Sequence, residues 1–432
     1  MPVINRIAAM QDEIAGWRHD FHAHPELLYE VHRTAASVAD KLKAFGCDEV
    51  VTGLGRTGVV GVVRGRKRAQ AGRTIGLRAD MDALPIEEAT DVPYKSTVPG
   101  KMHACGHDGH TAMLLAATKY LAETRNFAGT AVVIFQPAEE GGAGARAMLE
   151  DGLLDRFPID EVFGMHNFPG LPIGHFAIRP GPMMAAADRL YIDIEGMGGH
   201  AAKPHLAVDP ILVGAQMINQ MQSVVSRNVD PLDAAVVSIC MFQAGHTDNV
   251  IPQTARLCGT ARSLTSHVQD LLERRLHEIV EATARVYGAK AKLIYKRDYP
   301  VTSNHERQTA FAASVAAQIA GTERVDVDAP PMMGAEDFSF MLQARPGAFI
   351  FVGNGPSAGL HHPAYDFNDE AIPLGASYWA RLVETALPGR RSGGSGLRCA
   401  QPIVRNRYLL TAAVRRVYRR GRAPWATGRA AE

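Results

Sequence analysis

Several things are scarce in this sequence, and each scarcity narrows the reading. No run of apolar residues approaches the ~20 that a membrane-spanning helix needs, so no membrane partner is expected. Cysteine is rare and scattered (Cys47, Cys105, Cys240, Cys258, Cys399), which leaves no disulfide framework and points to a reducing, cytoplasmic setting. A signal-peptide core is missing too: in MPVINRIAAMQDEIAGWRHDF, Asp12, Glu13 and Arg18 interrupt any apolar run. That stretch reads instead as one amphipathic helix with Ile7, Met10, Ile14, Trp17 and Phe21 on one face. Net charge is nearly absent, at +1, but the balance is uneven. Residues 389–432 contain no lysine, eleven arginines and a single acid, Glu432, for +10, so the other 388 residues sum to −9. No nucleic-acid partner is therefore expected for the body of the chain.

What is present is an ordinary globular composition, 46% hydrophobic and 21% charged, over a length that favours two domains. Its densest chemistry lies in MHACGHDGHT (102–111), which carries His103, Cys105, His107, Asp108 and His110. Thiolate, imidazole and carboxylate are the ligands that borderline-soft divalent ions prefer, and Cys-x-His brings two within reach of one ion. Capping and surface histidines are the competing explanation. Around this motif strands and helices alternate: strand TIGLRAD (74–80), helix 109–125, strand TAVVIFQP (130–137), helix 143–151 and strand EVFGMH (161–166). That rhythm predicts βαβ crossovers and an α/β fold with a largely parallel sheet covered on both faces. Ligands of open α/β sheets gather at the carboxyl ends of the strands. Asp80, Asp82, Cys105, His107, Glu139, Glu140 and His166 all fall there, and His361 and His362 follow a later strand, GAFIFVG (347–353).

Between residues 187 and 300 the pattern changes to strand, helix, strand, strand, helix, strand, the order of the ferredoxin-like split motif. Asp209-Pro210 makes a good opening for its first helix. The expected organisation is a catalytic domain in two parts, 1–186 and 301–388, with an inserted α+β domain at 187–300. Beyond residue 389, RRSGGSGLRCAQP is linker-like. The Arg-rich tail 389–432 reads as a disordered appendage or the product of a shifted frame in a GC-rich gene, with a nucleic-acid or membrane arm as a third possibility.

Together these motifs resemble the metal-dependent amidohydrolases grouped with hippurate hydrolase, N-acyl-amino-acid amidohydrolases and plant auxin-conjugate hydrolases, distant relatives of carboxypeptidase G and aminoacylase. The resemblance runs from about Trp17 to Leu387 and includes HPELLYE, GLRADMDALPIEE, MHACGHDGHTAMLL, FQPAEEGGAGARAML, GGHAAKPHLAVDP, GAEDFSF and LHHPAYDFNDEAI. It implies a metallopeptidase-like catalytic domain with two divalent ions and an inserted lid domain that also forms a homodimer. Carried over, the metal ligands are Cys105, His107, Glu140, His166 and His361, with His362 at a variable position. Glu139 is implied as general base, and Asp82 as an acid orienting a metal-bound histidine. His200 is implied to stabilise the oxyanion from the partner subunit. Asn249 and Arg262 are candidates for the substrate carboxylate, for which a guanidinium fork is well suited.

Amide hydrolysis explains why such residues are needed. Metal ions lower the pKa of water toward ~7 and polarise the carbonyl. Two adjacent carboxylates after a strand diverge, so Glu140 can ligate while Glu139 faces the water. The expected activity is hydrolysis of N-acyl amino acids, hippurate-like ones first, through a metal-activated water. N-acetyl-diaminopimelate deacetylation or small-peptide hydrolysis is the runner-up, and a non-catalytic metal- or ligand-binding homologue is the alternative from another class. Zn or Mn is the expected metal, with Co or Ni also suited to a mixed N/O/S donor set.

Overall fold

The computed structural model describes residues 3–67 and 72–389; the tail reading, from residue 390 on, lies outside the described residues. The β-branched segment Glu49–Leu54 (β1) turns back through Gly55 into Gly58–Arg64 (β2) as an antiparallel pair. Next come Thr74–Asp80 (β3), Thr130–Gln136 (β4) and Glu161–Phe168 (β5). Far along the chain, Gly347–Gly353 pairs in parallel with β5. The sheet has eight strands, in the order β1, β2, β4, β3, β5, Gly347–Gly353, then the short edges Phe176–Ala177 and Val325–Asp326. Its centre is parallel, as expected, whereas β2 runs antiparallel to both of its neighbours, β1 and β4, because the β1–β2 hairpin needs no crossover. The edge strand Phe176–Ala177 is likewise antiparallel to Gly347–Gly353.

Alternation along each strand builds two cores. In β4, Ala131, Val133 and Phe135 enter one apolar cluster, and Val132 and Ile134 the other. The first cluster is closed by helices Gln11–Ala23 (α1), His32–Ala44 (α2), His107–Thr124 (α3), Glu306–Ala320 and Ile372–Ala386. α3 is buried along most of its length, which matches its nearly continuous apolar sequence. At the N-terminus the expected single helix is two, Asn5–Ala8 and α1, because Met10 leaves helical geometry between them (φ −101°, ψ 5°). Trp17 is only half-buried, and its ring lies 5.6 Å from that of Phe45.

Residues 186–299 form a second, antiparallel sheet. Its strands are Ala186–Glu195 (β6), Ala235–Ala244 (β7), Thr254–Ser263 (β8) and Lys290–Tyr299 (β9), arranged β7-β8-β6-β9. Helices Pro210–Arg227 (α4) and Ser266–Val286 (α5) cover one face, where Leu190, Ile192 and Ile194 of β6 join a third core cluster. Asp209 caps α4 by accepting from Ile211 N–H at 2.8 Å, with Pro210 in the first turn. β6 begins at Ala186, one residue before the expected start of this pattern at 187, because its pairing with β8 continues to Ala186–Ser263. Among the described residues no helix is long and apolar enough to cross a membrane.

Candidate metal centre

Each candidate metal ligand leaves the carboxyl edge of the parallel strands. β3 ends at Asp80, and the loop 102–106 reaches α3 through Gly106 (φ +87°). A Cβ there would sit 2.3 Å from Asn167 Nδ2, so only glycine lets the Cys105–His107 corner pack against β5. After β4, Ala138 adopts a left-handed conformation (φ 56°) and swings Glu139 and Glu140 into a short turn. This departs from the extended backbone expected for the pair: the two carboxylates are separated by a kink, not by strand alternation.

The resulting donor set is tight. Cys105, His107 and His166 form one group whose ligand atoms lie within 4.8 Å of one another; Cys105, Glu140 and His361 form another, and His107, Glu139 and Glu140 a third. Glu140 Oε1 is 3.3 Å from His361 Nε2 and 4.0 Å from His107 Nε2, and Cys105 Sγ is 3.4 Å from His166 Nε2. Both buried histidines spend their Nδ1 on a main-chain carbonyl: His107 on Asp82 O (2.8 Å) and His166 on Asn167 O (2.7 Å). Their Nε2 atoms are thereby left facing the cluster, just as a hydrogen bond at the far ring nitrogen orients a metal-binding histidine. His107 Nε2 and Glu140 Oε1 are buried with no hydrogen-bond partner. Burial, Glu140 and Glu139 push the Cys105 thiol well up, so a thiolate at this point calls for a cation beside it. Orphaned donors and a soft, anionic ligand set both fit divalent metal.

Two further groupings at this edge, one of an acid with histidines and one of acids alone, are already committed elsewhere. His110 holds Asp80 through Nδ1 (2.6 Å) while its Nε2 accepts the Asn167 N–H (2.9 Å). Arg78, fully buried, donates to Gln136, Asp80 and Asp337 at 2.8, 2.7 and 3.0 Å and also lies 3.0 Å from Glu336. Glu139 is buried beside these acids. Burial first, then Glu336 and Glu140, raise its carboxyl well above the usual range, as suits a group that takes and releases a proton.

The Asp82 carboxylate accepts from the N–H groups of Glu139 (2.9 Å) and Glu140 (3.1 Å), so it fixes the carboxylate turn, while its main-chain oxygen orients His107. His362 Nδ1 accepts from Ala364 N–H, and His362 is in none of the ligand groups among the described residues. The cluster opens on a cavity of about 740 Å³. One wall is apolar (Phe168, Phe351, Met184, Met332, Leu360), with the Phe168 and Phe351 rings 5.0 Å apart. Arg262 also lines it, half-buried and without an ion pair among the described residues. His200 and Asn249 do not line it. They lie exposed where Gly199–His200 pairs with Val250–Ile251.

Sequence reasoning passed over Asn167, whose Nδ2 donates to Cys105 O (2.7 Å) and whose Oδ1 accepts from Tyr365 (2.8 Å). It also passed over Tyr299, whose hydroxyl lies against the Glu139–Ala143 backbone. Asn167 adjoins His166 in HNFPG, a polar residue ending a buried strand, and that was a usable signal. Tyr299 offered none.

Residues 76–385 match the family described as Peptidase family M20/M25/M40. A hippurate hydrolase of Campylobacter jejuni is 43% identical over 383 residues, spanning 89% of this chain and 99% of that protein. An IAA-amino acid hydrolase of Arabidopsis thaliana is 39% identical over 382 residues, 86% of either chain. The crystal structure of a dinuclear metal binding peptidase of the M20 family from Bacillus subtilis superposes with a TM-score of 0.77 at 35% identity, covering 88% of this chain and 99% of that one.

Proposed function

This chain belongs to peptidase family M20/M25/M40, and from that membership and its site we propose that it hydrolyses the amide bond of N-acyl amino acids, with aroyl amino acids such as hippurate as preferred substrates. The observation that carries the reading is the convergence of Cys105, His107, Glu140, His166 and His361 on one cavity edge with a spare buried acid, Glu139, beside them. Those five side chains would hold two divalent ions, zinc or manganese first. When bound, the ions supply Lewis-acid polarisation of the amide carbonyl and acidify water.

The protein's own groups do the rest. Glu139 takes the proton of the attacking water and delivers it to the leaving amine nitrogen. Arg262 receives the carboxylate of the amino-acid half, and Asn249, which lies outside this cavity beside His200, assists only from the partner's side. The Phe168–Phe351–Met184–Met332 wall accommodates the acyl group, and its aromatic and thioether surface favours a ring over an acetyl group. The reading includes a homodimer, in which residues 187–300 act as lid and dimerisation domain and His200 acts in the partner's site. Supporting it, Met241 and Phe242 are exposed on the edge strand β7, and Ile211 and Leu212 are exposed on α4. The four described cysteines are free, which suits a reducing cytoplasm.

The test is a substrate panel on metal-reconstituted protein: hippurate, N-acetyl amino acids, N-acetyl-diaminopimelate and dipeptides, scored by release of free amino acid. Hippurate should give the highest kcat/KM. A dipeptide or N-acetyl-diaminopimelate preferred tenfold would replace the aroyl assignment, and no hydrolysis of any member would overturn the activity.

A further inference from the structure

We propose that the Tyr299 hydroxyl is a latch on the Glu139–Glu140 turn, making Tyr299 a positioning residue for the base. The proposal rests on the amidohydrolase reading of Glu139. Tyr299 is the last residue of β9, and the pairing with β6 slips there: Arg297 faces Asp188 but Tyr299 faces Ala187, so Asp298 is an extra residue. Such an irregularity re-aims the side chain that follows it, and here the phenol enters the catalytic turn.

A hydroxyl has one proton to give and two lone pairs to offer. Tyr299 uses all three, donating to Glu139 O (2.5 Å) and accepting from Gly141 N–H (3.0 Å) and Ala143 N–H (3.1 Å). Burial, Asp337 and Glu139 raise the phenol well above its ordinary range, so it keeps the proton it donates. The turn needs this support. Ala138, Gly141 and Ala143 all have positive φ (56°, 93° and 57°), and two of them are not glycine, so the path is strained and persists only where its surroundings impose it. Asp82 holds the N–H side of Glu139 and Glu140, and Tyr299 holds the carbonyl side and the exit. The ring itself is buried and stands edge-on to Phe340 with centroids 6.2 Å apart. Packing would therefore keep a phenylalanine ring in place, and Tyr299→Phe removes only the latch.

The experiment uses the full chain loaded with metal. Misplacing a catalytic group by about 1 Å costs on the order of 10²-fold. Tyr299→Phe should accordingly lower kcat about 10- to 100-fold, leaving KM within about threefold and two metal ions bound. In a Glu139→Gln background the same change should alter the residual rate less than about twofold, because the group being positioned is gone. An equal factor in both backgrounds, or a kcat within about twofold of the parent, overturns the proposal. Amide exchange supplies a readout independent of turnover: Gly141 and Ala143 should be protected in the parent protein and exchange at least about tenfold faster in Tyr299→Phe. Unprotected amides in the parent overturn the latch even if the variant does not fold. Should the parent hydrolyse no N-acyl amino acid, the functional reading fails while exchange still decides the latch.

Discussion

Replacing Arg78 by methionine tests whether the floor of the site is held by charge compensation. Arg78 is 1% exposed and is the common cation of Asp80, Glu336 and Asp337. Burial pushes Glu336 up to about 8 and Asp337 up to about 6, and in each case Arg78 is the strongest force pulling the carboxyl back down. Methionine fills much of the volume but leaves three buried carboxyls facing one another. An idealised charge-burial cost would be of order 20 kcal/mol, but proton uptake relieves most of it. Breaking one side of a buried ionic network costs ~3–5 kcal/mol in practice. Against a total stability of about 5–15 kcal/mol that is a large loss. The assay is urea unfolding at pH 7.5 and fixed metal concentration, since bound metal shifts apparent stability by mass action. Arg6→Met is the control: its ion pair with Glu123 is exposed, and such pairs contribute about 0–1 kcal/mol. If Arg78→Met unfolds within 1 kcal/mol of the Arg6→Met control, about the most such a surface pair contributes, the compensation argument is refuted.

Three other outcomes follow from the site. Glu139→Gln should retain metal and lose about 10²–10⁴-fold in kcat, whereas Glu140→Gln should lower metal content by elemental analysis; full metal with near-normal turnover in Glu139→Gln would remove it from the role of base. For His22, burial lowers its pKa, but hydrogen bonds to Asp108 and Glu88 outweigh this and raise it to about 9. A raised folded-state value means the stabilisation is complete below the unfolded pKa of ~6.5 and is lost as pH climbs through about 9, roughly 2–4 kcal/mol in all; the stability gap between parent and His22→Gln should close over that window, and a gap independent of pH would contradict it. Finally, Glu139→Gln and His200→Ala, each nearly inactive, should recover about a quarter of parental activity when mixed under subunit exchange, because half the dimers then contain one intact site of two; no recovery after proven exchange would place His200 in its own subunit's chemistry.

The order of elements and the polar residues at strand ends were legible in the chain because both depend on local periodicity. β4 alternates its side chains between two cores, and βα turns must release their polar residues at the carboxyl edge. The sequence alone therefore determined the α/β architecture, the βαββαβ order of residues 186–299 and the nine or so groups competing for one crevice. Only the tertiary structure decided how those groups divide. His107 and His110 belong to the same helical turn, yet a main-chain carbonyl leaves His107 Nε2 free while Asp80 and Asn167 occupy both nitrogens of His110. Asp82, expected to orient a histidine, lies against His107 and in addition has its carboxylate on two backbone N–H groups 57 and 58 residues away. Tyr299 reaches the turn from 160 residues away, where one extra strand residue re-aims its ring. Hydrogen-bond partnership across such distances has no period in the sequence: it is set by which strand ends adjoin and which lone pairs remain once the backbone has taken its share.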